Sequence, residues 1–175
     1  MRAGASRRTA GGERAPVETA PAEVRSGRLL VWRAGGGIFA FPLAAVERIV
    51  ELGALHRLPG QEPGAGVVIV EGTAIAAIDG ARRLGLDDGG GRAAQVVVVS
   101  AGDARHAVLV DRAEALSGET EIVPPPAGSG AAAFVAGLAE VEAEQVVVLD
   151  PVEFCGCGSP GRELPQEHAF ATQRT

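Results

Sequence analysis

The chain has 175 residues, 46% of them hydrophobic by type, with 25 Gly, 11 Pro, one Trp, no Tyr and a net charge of −6. That length fits one domain able to bury about 70% of the surface its unfolded chain exposes, with no need of disulfides or a structural metal. The acidic balance and the 3% aromatic content exclude a nucleic-acid surface of basic fields and base-stacking rings, and no apolar run reaches the ~18 residues of a membrane-spanning helix.

Residues 1–27 are rich in Ala, Gly, Pro, Arg and Glu and lack any periodic apolar pattern, so they read as a disordered N-terminal tail. Charge is uneven along the chain. Residues 1–28 hold six Arg against three Glu (+3), while residues 29–154 hold eight Arg against seventeen acids (−9). All sixteen basic residues are Arg, which reads as a compositional bias of the source genome and not as function.

From residue 28 onward, short β-branched runs alternate with glycine-marked turns, the pattern of an all-β barrel or sandwich. The expected strands are Leu29–Trp32, Ile38–Phe41, Val67–Val70, Thr73–Ile78, Val96–Val99, His106–Val110, Glu121–Val123 and Val146–Leu149. Gly35–Gly37, Gly72, Gly102 and Gly118 mark the joints, where positive φ or a tight turn is expected. The spacing in Leu43–Leu52 suits a helix about as well as a turn and strand, and pattern alone leans to helix. A short helix is expected over Ala81–Leu84, capped by Asp79 and stopped by Gly85. Uninterrupted apolar runs at Val96–Val99 and Val146–Val148 predict strands covered on both faces. Residues 155–175 resemble the N-terminal segment in composition and read as a second disordered tail, leaving 28–154 as the folded domain.

An internal echo organises these elements. Residues 29–52 and 96–116 share a strand, a Gly-containing hairpin, a second strand and a polar-studded third segment. Hairpin-like stretches follow at 66–80 and 135–151, ending in Ile78-Asp79 and Leu149-Asp150, at offsets of 67 to 71 residues. Two similar small barrels, each too small to stand alone and sharing a core at their junction, satisfy this pattern.

Catalytic chemistry finds little support. Nucleophilic catalysis needs an oriented base, and the bases of the predicted domain are His56, in a loop, and His106, mid-strand. No Gly-x-Ser-x-Gly elbow, phosphate-binding loop or His-Glu-x-x-His helix is present. The clusters Gly35–Gly37 and Gly89–Gly91 lack a following helix and lysine, so they read as turns and not as phosphate cradles. Glu140, Glu142 and Glu144 alternate as on a solvated strand face. Cys155-Gly-Cys157 with His168 falls short of a four-ligand metal site and of a Cys-x-x-Cys redox helix. Two cysteines this close form no disulfide framework, so a reducing compartment is the default and no cofactor or metal is expected. What remains is a binding module whose function lies in its surfaces.

Taken in order, Phe39-Ala-Phe-Pro-Leu-Ala-Ala-Val46-Glu-Arg-Ile49, Leu58-Pro59-Gly60, Gly66-Val-Val-Ile-Val-Glu71-Gly72, Ile75-Ala-Ala-Ile-Asp79, Leu84-Gly85-Leu86, Val96–Val99, Ala107-Val-Leu-Val-Asp111 and Val135-Ala-Gly137-Leu resemble the CheW-like family of chemotaxis coupling proteins. The resemblance covers about 29–154. It implies an all-β fold of two pseudo-symmetric five-stranded SH3-like β-barrels with a short helix, and it assigns Leu43–Ala45 to a turn and Val46–Glu51 to a strand, against the helical lean. It also implies a non-catalytic cytoplasmic scaffold that joins the regulatory domain of a CheA-type histidine kinase to the cytoplasmic tips of chemoreceptors, at membrane-associated arrays and without inserting into the bilayer.

By the same resemblance, Val46, Arg48, Gly66, Glu71 and Gly72 are candidates for a receptor-facing groove, and Ile75 with Ala77 for a kinase-facing strand. Departures accompany the match. Family members commonly carry Val-x-Glu-Ile and Asn-Leu-Arg-Gly where this chain has Val46-Glu47-Arg48-Ile49 and Ile69-Val70-Glu71-Gly72, so acid and base have changed places. Arg48 and Glu71 are therefore expected to face each other across neighbouring strands as a reversed ion pair. The family's Pro in Ile-Pro-x-Ile-Asp-Leu is Ala76 or Ala77 here, and the Leu after Asp79 is Gly80, which is expected to trim apolar bulk from a partner surface. A diverged double-barrel adaptor for another partner, such as a motility or polarity regulator, is the alternative.

Overall fold

The structure, a computed structural model, describes residues 23–60, 65–86, 93–115 and 118–156. In chain order its strands are β1 (Arg25–Gly27), β2 (Leu29–Ala34), β3 (Gly37–Pro42), β4 (Val46–Glu51), β5 (Leu55–His56), β6 (Ala65–Val70), β7 (Thr73–Asp79), β8 (Gln95–Ala101), β9 (Ala104–Val110), β10 (Arg112–Ala115), β11 (Thr120–Val123), β12 (Val135–Val141) and β13 (Glu144–Leu149). A 3-10 turn (Leu43–Ala45) separates β3 from β4, and the helices α1 (Gly80–Arg83) and α2 (Pro151–Cys155) follow β7 and β13.

Every apolar run expected to be a strand lies inside one. The helical lean at Leu43–Leu52 fails: the segment is a 3-10 turn and then β4, as the family resemblance implied. Ladder pairing of β4 with β8, from Val46 opposite Val99 to Glu51 opposite Gln95, outweighs a helical spacing that no neighbouring surface rewards. Order also reaches beyond the expected limits. Arg25–Gly27, assigned to the N-terminal tail, pair with Ile122–Thr120 as an added edge strand. Residues 151–155 form α2, where no helix was foreseen.

The strands form two curled sheets, in the orders β1-β11-β12-β13-β3-β2-β10 and β4-β8-β9-β7-β6-β5. They make a pseudo-symmetric pair of SH3-like barrels in which β2 to α1 and β8 to α2 correspond element by element. The repeats do not each build a barrel of their own. Hairpin β2–β3 joins the second repeat's β10–β13, and hairpin β8–β9 joins the first repeat's β4–β7. Each exchanged hairpin is seated by a parallel ladder, β3 on β13 and β9 on β7. The expected five strands per barrel become six because β5, only two residues long, and its counterpart β11 pair as well; β1 makes a seventh.

Strand alternation now explains three cores. The first barrel, built on β1-β11-β12-β13-β3-β2-β10, is filled by Leu29, Val31, Ala40, Ala139, Val146 and Val148, and the second, built on β4-β8-β9-β7-β6-β5, by Val68, Val70, Ile75, Ala77, Val96, Val98, Ala107 and Leu109. The opposite faces of β2, β3, β8 and β9 meet between them as a junction core containing Trp32, Phe39, Phe41, Val97, Val99, Val108, Val110, Leu149 and Phe154. Both faces of β8 are thus covered, as its unbroken valine run required.

The helices close matching corners of the repeats. Asp79 caps α1 by accepting from the Arg82 amide at 3.1 Å, and Asp150 caps α2 by accepting from Val152 and Glu153 at 2.8 and 3.2 Å. Gly80, expected to mark a depleted partner surface, is buried. A Cβ there would lie 2.8 Å from the Leu109 carbonyl and 3.2 Å from the Trp32 ring, so the indole occupies the room a larger residue would take.

Candidate partner interface

Side chains of β4, β8 and β9 gather near the β6–β7 turn of the second barrel. A bulge interrupts the pairing of β4 with β8 between Val46 and Arg48. It lets Val46 turn into the junction core beside Leu43, while Arg48 takes the register position opposite Val98, a residue of the barrel interior. Arg48 Nε is buried and makes no hydrogen bond among the described residues. Its Nη1 instead bridges to Glu71 Oε1 on the turn.

Glu71 adopts φ of 48° and Gly72 φ of 79°, the left-handed pair of a tight hairpin turn that glycine enters freely. The expected Arg48–Glu71 pair therefore exists, but not across neighbouring strands. β8, β9 and β7 separate β4 from β6 in hydrogen-bonding order, and the ion pair links the two ends of the curl across its mouth.

Sequence reading missed the second half of this charge cluster. Glu47, the extra residue of the bulge, accepts from Ser100 Oγ and from Arg105 Nε, each at 2.7 Å. The Ser100 hydrogen bond, followed by that from Arg105, holds the Glu47 carboxyl below the usual carboxylate range. Hydrogen bonding and charge from Arg48 do the same for Glu71, and Glu71 in turn raises Arg48. Two acids and two arginines from β4, β9 and the β6–β7 turn, with Ser100 of β8, thus form one surface network. The only sequence signal was the adjacency of Glu47 and Arg48, which alternation alone sends to opposite faces.

The other candidates divide by face. Gly66 is buried, and a Cβ there would stand 2.7 Å from Leu55 Cδ1 and 2.9 Å from the His56 carbonyl. Its absence of a side chain lets β5 close on β6 and offers nothing to a partner directly. Ile75 and Ala77, expected to face a kinase, are 3% and 2% exposed and fill the barrel. One residue away in register, Ala74 and Ala76 are exposed on the other face of β7, opposite Ile69 and Val67 of β6. Ile69 is 55% exposed.

His56 is exposed on β5; His106 is half-buried on β9, where burial pushes its imidazole down. Glu144 pairs with Arg33 at 2.9 Å, while Glu142 lies in the β12–β13 turn. Cys155 ends α2, and Cys157, His168 and Gly89–Gly91 lie outside the described residues. Among the described residues no group of three His, Cys, Asp or Glu side chains could hold a metal ion, and no helix is long and apolar enough to cross a membrane.

Residues 28–155 match the family model described as CheW-like domain, a span that covers the double barrel from β2 to α2. The chain belongs to the CheW-like family. At that level it is a chemotaxis scaffold or adaptor domain. Among solved structures, the crystal structure of the scaffolding protein TtCheW from Thermoanaerobacter tengcongensis is similar, with a TM-score of 0.65 and 17% sequence identity over 81% of this chain and 99% of that one. At that identity the likeness establishes the CheW-like fold alone. No curated protein matches in sequence.

Proposed function

We propose that this CheW-like chain is a non-catalytic cytoplasmic adaptor coupling the regulatory domain of a CheA-type histidine kinase to the cytoplasmic tips of chemoreceptors in membrane-associated arrays. The observation that carries this reading is the Arg48–Glu71 bridge at the mouth of the second barrel. It preserves an ion pair at the positions that the family resemblance ties to receptor coupling, with acid and base exchanged. Gly72 completes the turn that carries Glu71, Val46 precedes the bulge that places Arg48, Gly66 seats β5 against β6, and the apolar outward face of the β6–β7 hairpin, Val67, Ile69, Ala74 and Ala76, offers the kinase a contact. Specific reversible contacts need about 800 Å² per partner, which barrel faces supply without a cavity.

The exchanged charges favour a cognate partner whose own charges are exchanged to match, because like charges brought face to face at an interface are penalised. The test titrates the cognate kinase regulatory domain and a receptor tip fragment against the wild-type chain, Arg48→Glu, Glu71→Arg and the double variant. Each single variant should bind its receptor tip more weakly, and the double variant should gain affinity for tips of systems with the usual charge order. If the wild-type chain retains neither kinase nor receptor, the coupling role falls, and the exchanged charges then favour an adaptor for a motility or polarity regulator.

A further inference from the structure

Most of the acidic excess of the domain lies late in the chain. Residues 29–112 hold eight Arg and nine acids, whereas residues 113–156 hold eight acids and no base. In the structure the latter segment supplies β11, β12, β13 and α2. Two of its carboxylates are paired, Glu144 with Arg33 at 2.9 Å and Glu114 with Arg112 at 3.0 Å.

On the outward side of β11 and β12, Glu121, Val123, Leu138, Glu140 and Gln145 line a shallow open groove of about 400 Å³. Val123 is 47% exposed. Among the described residues neither Glu121 nor Glu140 forms an ion pair. The groove therefore combines an apolar floor with carboxylates, a surface that suits a chain bearing arginines and small apolar residues.

One segment of this protein has that chemistry and the right point of departure. Residues 1–22 carry Arg2, Arg7, Arg8 and Arg14 against Glu13 and Glu18, interspersed with Ala, Val and Pro. β1 pairs antiparallel with β11, Arg25 opposite Ile122, so the preceding chain departs beside the Val123 end of the groove-forming strand. Neighbouring strands are about 4.8 Å apart. At up to about 3.5 Å per residue, 22 residues are long enough to return from β1 across the groove.

We propose that the arginine-bearing segment Arg2–Arg14 is an intramolecular ligand of the first barrel's acidic groove, a salt-sensitive cover over Glu121, Val123, Leu138 and Glu140. The cover competes with any protein that docks on this face, so occupancy of β11–β12 by a partner is coupled to release of the N-terminal segment. The inference is independent of which proteins the adaptor joins.

The test uses the full chain, labelled for amide NMR, as wild type, as the variant Arg2→Ser/Arg7→Ser/Arg8→Ser/Arg14→Ser, and as Glu121→Gln/Glu140→Gln. At low salt the amides of Glu121–Val123 and Leu138–Glu140 should shift between wild type and the arginine variant, and high salt should erase the difference. A synthetic peptide of residues 1–22 added to the arginine variant should restore the wild-type shifts, and should fail to move these amides in the glutamine variant. Superimposable spectra over β11–β13 at low salt overturn the proposal. So does sedimentation showing a wild-type dimer lost in either variant, which makes the occupant a second copy. So does release of the segment to vesicles of anionic lipid while the groove amides stay unmoved between wild type and the arginine variant.

Discussion

Arg83 and Phe154 occupy the same place in the two repeats, 71 residues apart, and they touch: Arg83 Nε donates to the Phe154 carbonyl at 2.9 Å. The guanidinium also lies 5.4 Å from the centre of the Phe134 ring, which packs edge-on against Phe154. A residue at the end of α1 thus satisfies a carbonyl at the C-terminal end of α2, where cations are favoured. The junction between barrels is held by an apolar core and by this polar latch. Arg83→Met keeps the stem and removes the hydrogen bond and the charge, and should cost about 1 kcal/mol in chemical denaturation. Combined with Phe134→Leu, the loss should be less than the sum of the single losses; strict additivity would show that the ring contact contributes nothing.

Stability should fall as the solution is acidified, in two windows. His106 is pushed down by burial, so the folded state binds its proton less readily than the unfolded chain; the cost begins as pH drops below the ordinary value of 6.5. Glu47 and Glu71 are held low by Ser100, Arg105 and Arg48, so their contribution is complete above 4.5 and disappears as pH falls below it. All three effects have the same sign. Urea midpoints measured from pH 8 to pH 3 should decline in both windows, and His106→Gln should flatten the upper one while leaving the lower. A midpoint that rises between pH 7 and pH 5 would contradict the assignment for His106.

Much of this fold was legible because its strands are short, apolar and punctuated by glycine. The eight expected strands, the α1 cap at Asp79 and the duplication all follow from side-chain chemistry that acts over a few residues. The exchange of hairpins β2–β3 and β8–β9 was not legible, because it depends on which of two nearly equivalent parallel ladders forms, β3 on β13 or β9 on β13. Nothing local distinguishes these. The site divides in the same way. The Arg48–Glu71 pair was readable as exchanged charges, whereas the bulge at Glu47 and its partners Ser100 and Arg105 depend on register between β4 and β8. The burial of Ile75 and Ala77 was not legible because a strand of Thr, Ala and Ile offers no polar alternation to show which side is wet.

The β12–β13 turn provides a test of the duplication itself. Glu142 and Ala143 adopt φ of 50° and 65°, repeating the left-handed pair Glu71 and Gly72 with Ala in place of Gly. An L-residue held there is strained by about 1–2 kcal/mol, partly offset by the greater unfolded-state entropy that glycine introduces. Ala143→Gly should therefore stabilise the chain by about 0.5–1 kcal/mol, whereas Gly72→Ala at the equivalent turn should destabilise it by a similar amount. Thermal midpoints moving together, both up or both down, would show that the two turns are not equivalent.

The outward face of β7 can be separated by mutation from the face used for folding. Ile75 is 3% exposed within the second barrel, and Ile75→Ala should cost about 2–4 kcal/mol through the cavity it leaves. Ile69 is 55% exposed on the paired strand, and Ile69→Asp should leave stability within about 0.5 kcal/mol. If the outward face of β6 and β7 docks the kinase regulatory domain, Ile69→Asp should abolish its capture by an otherwise intact chain, because docking would desolvate the new carboxylate without a partner. Gly66→Ala supplies the control. Its Cβ would press on Leu55 and the His56 carbonyl, so capture should weaken only in proportion to lost fold, as read by urea midpoint. Full kinase binding by Ile69→Asp would move the kinase contact away from this face.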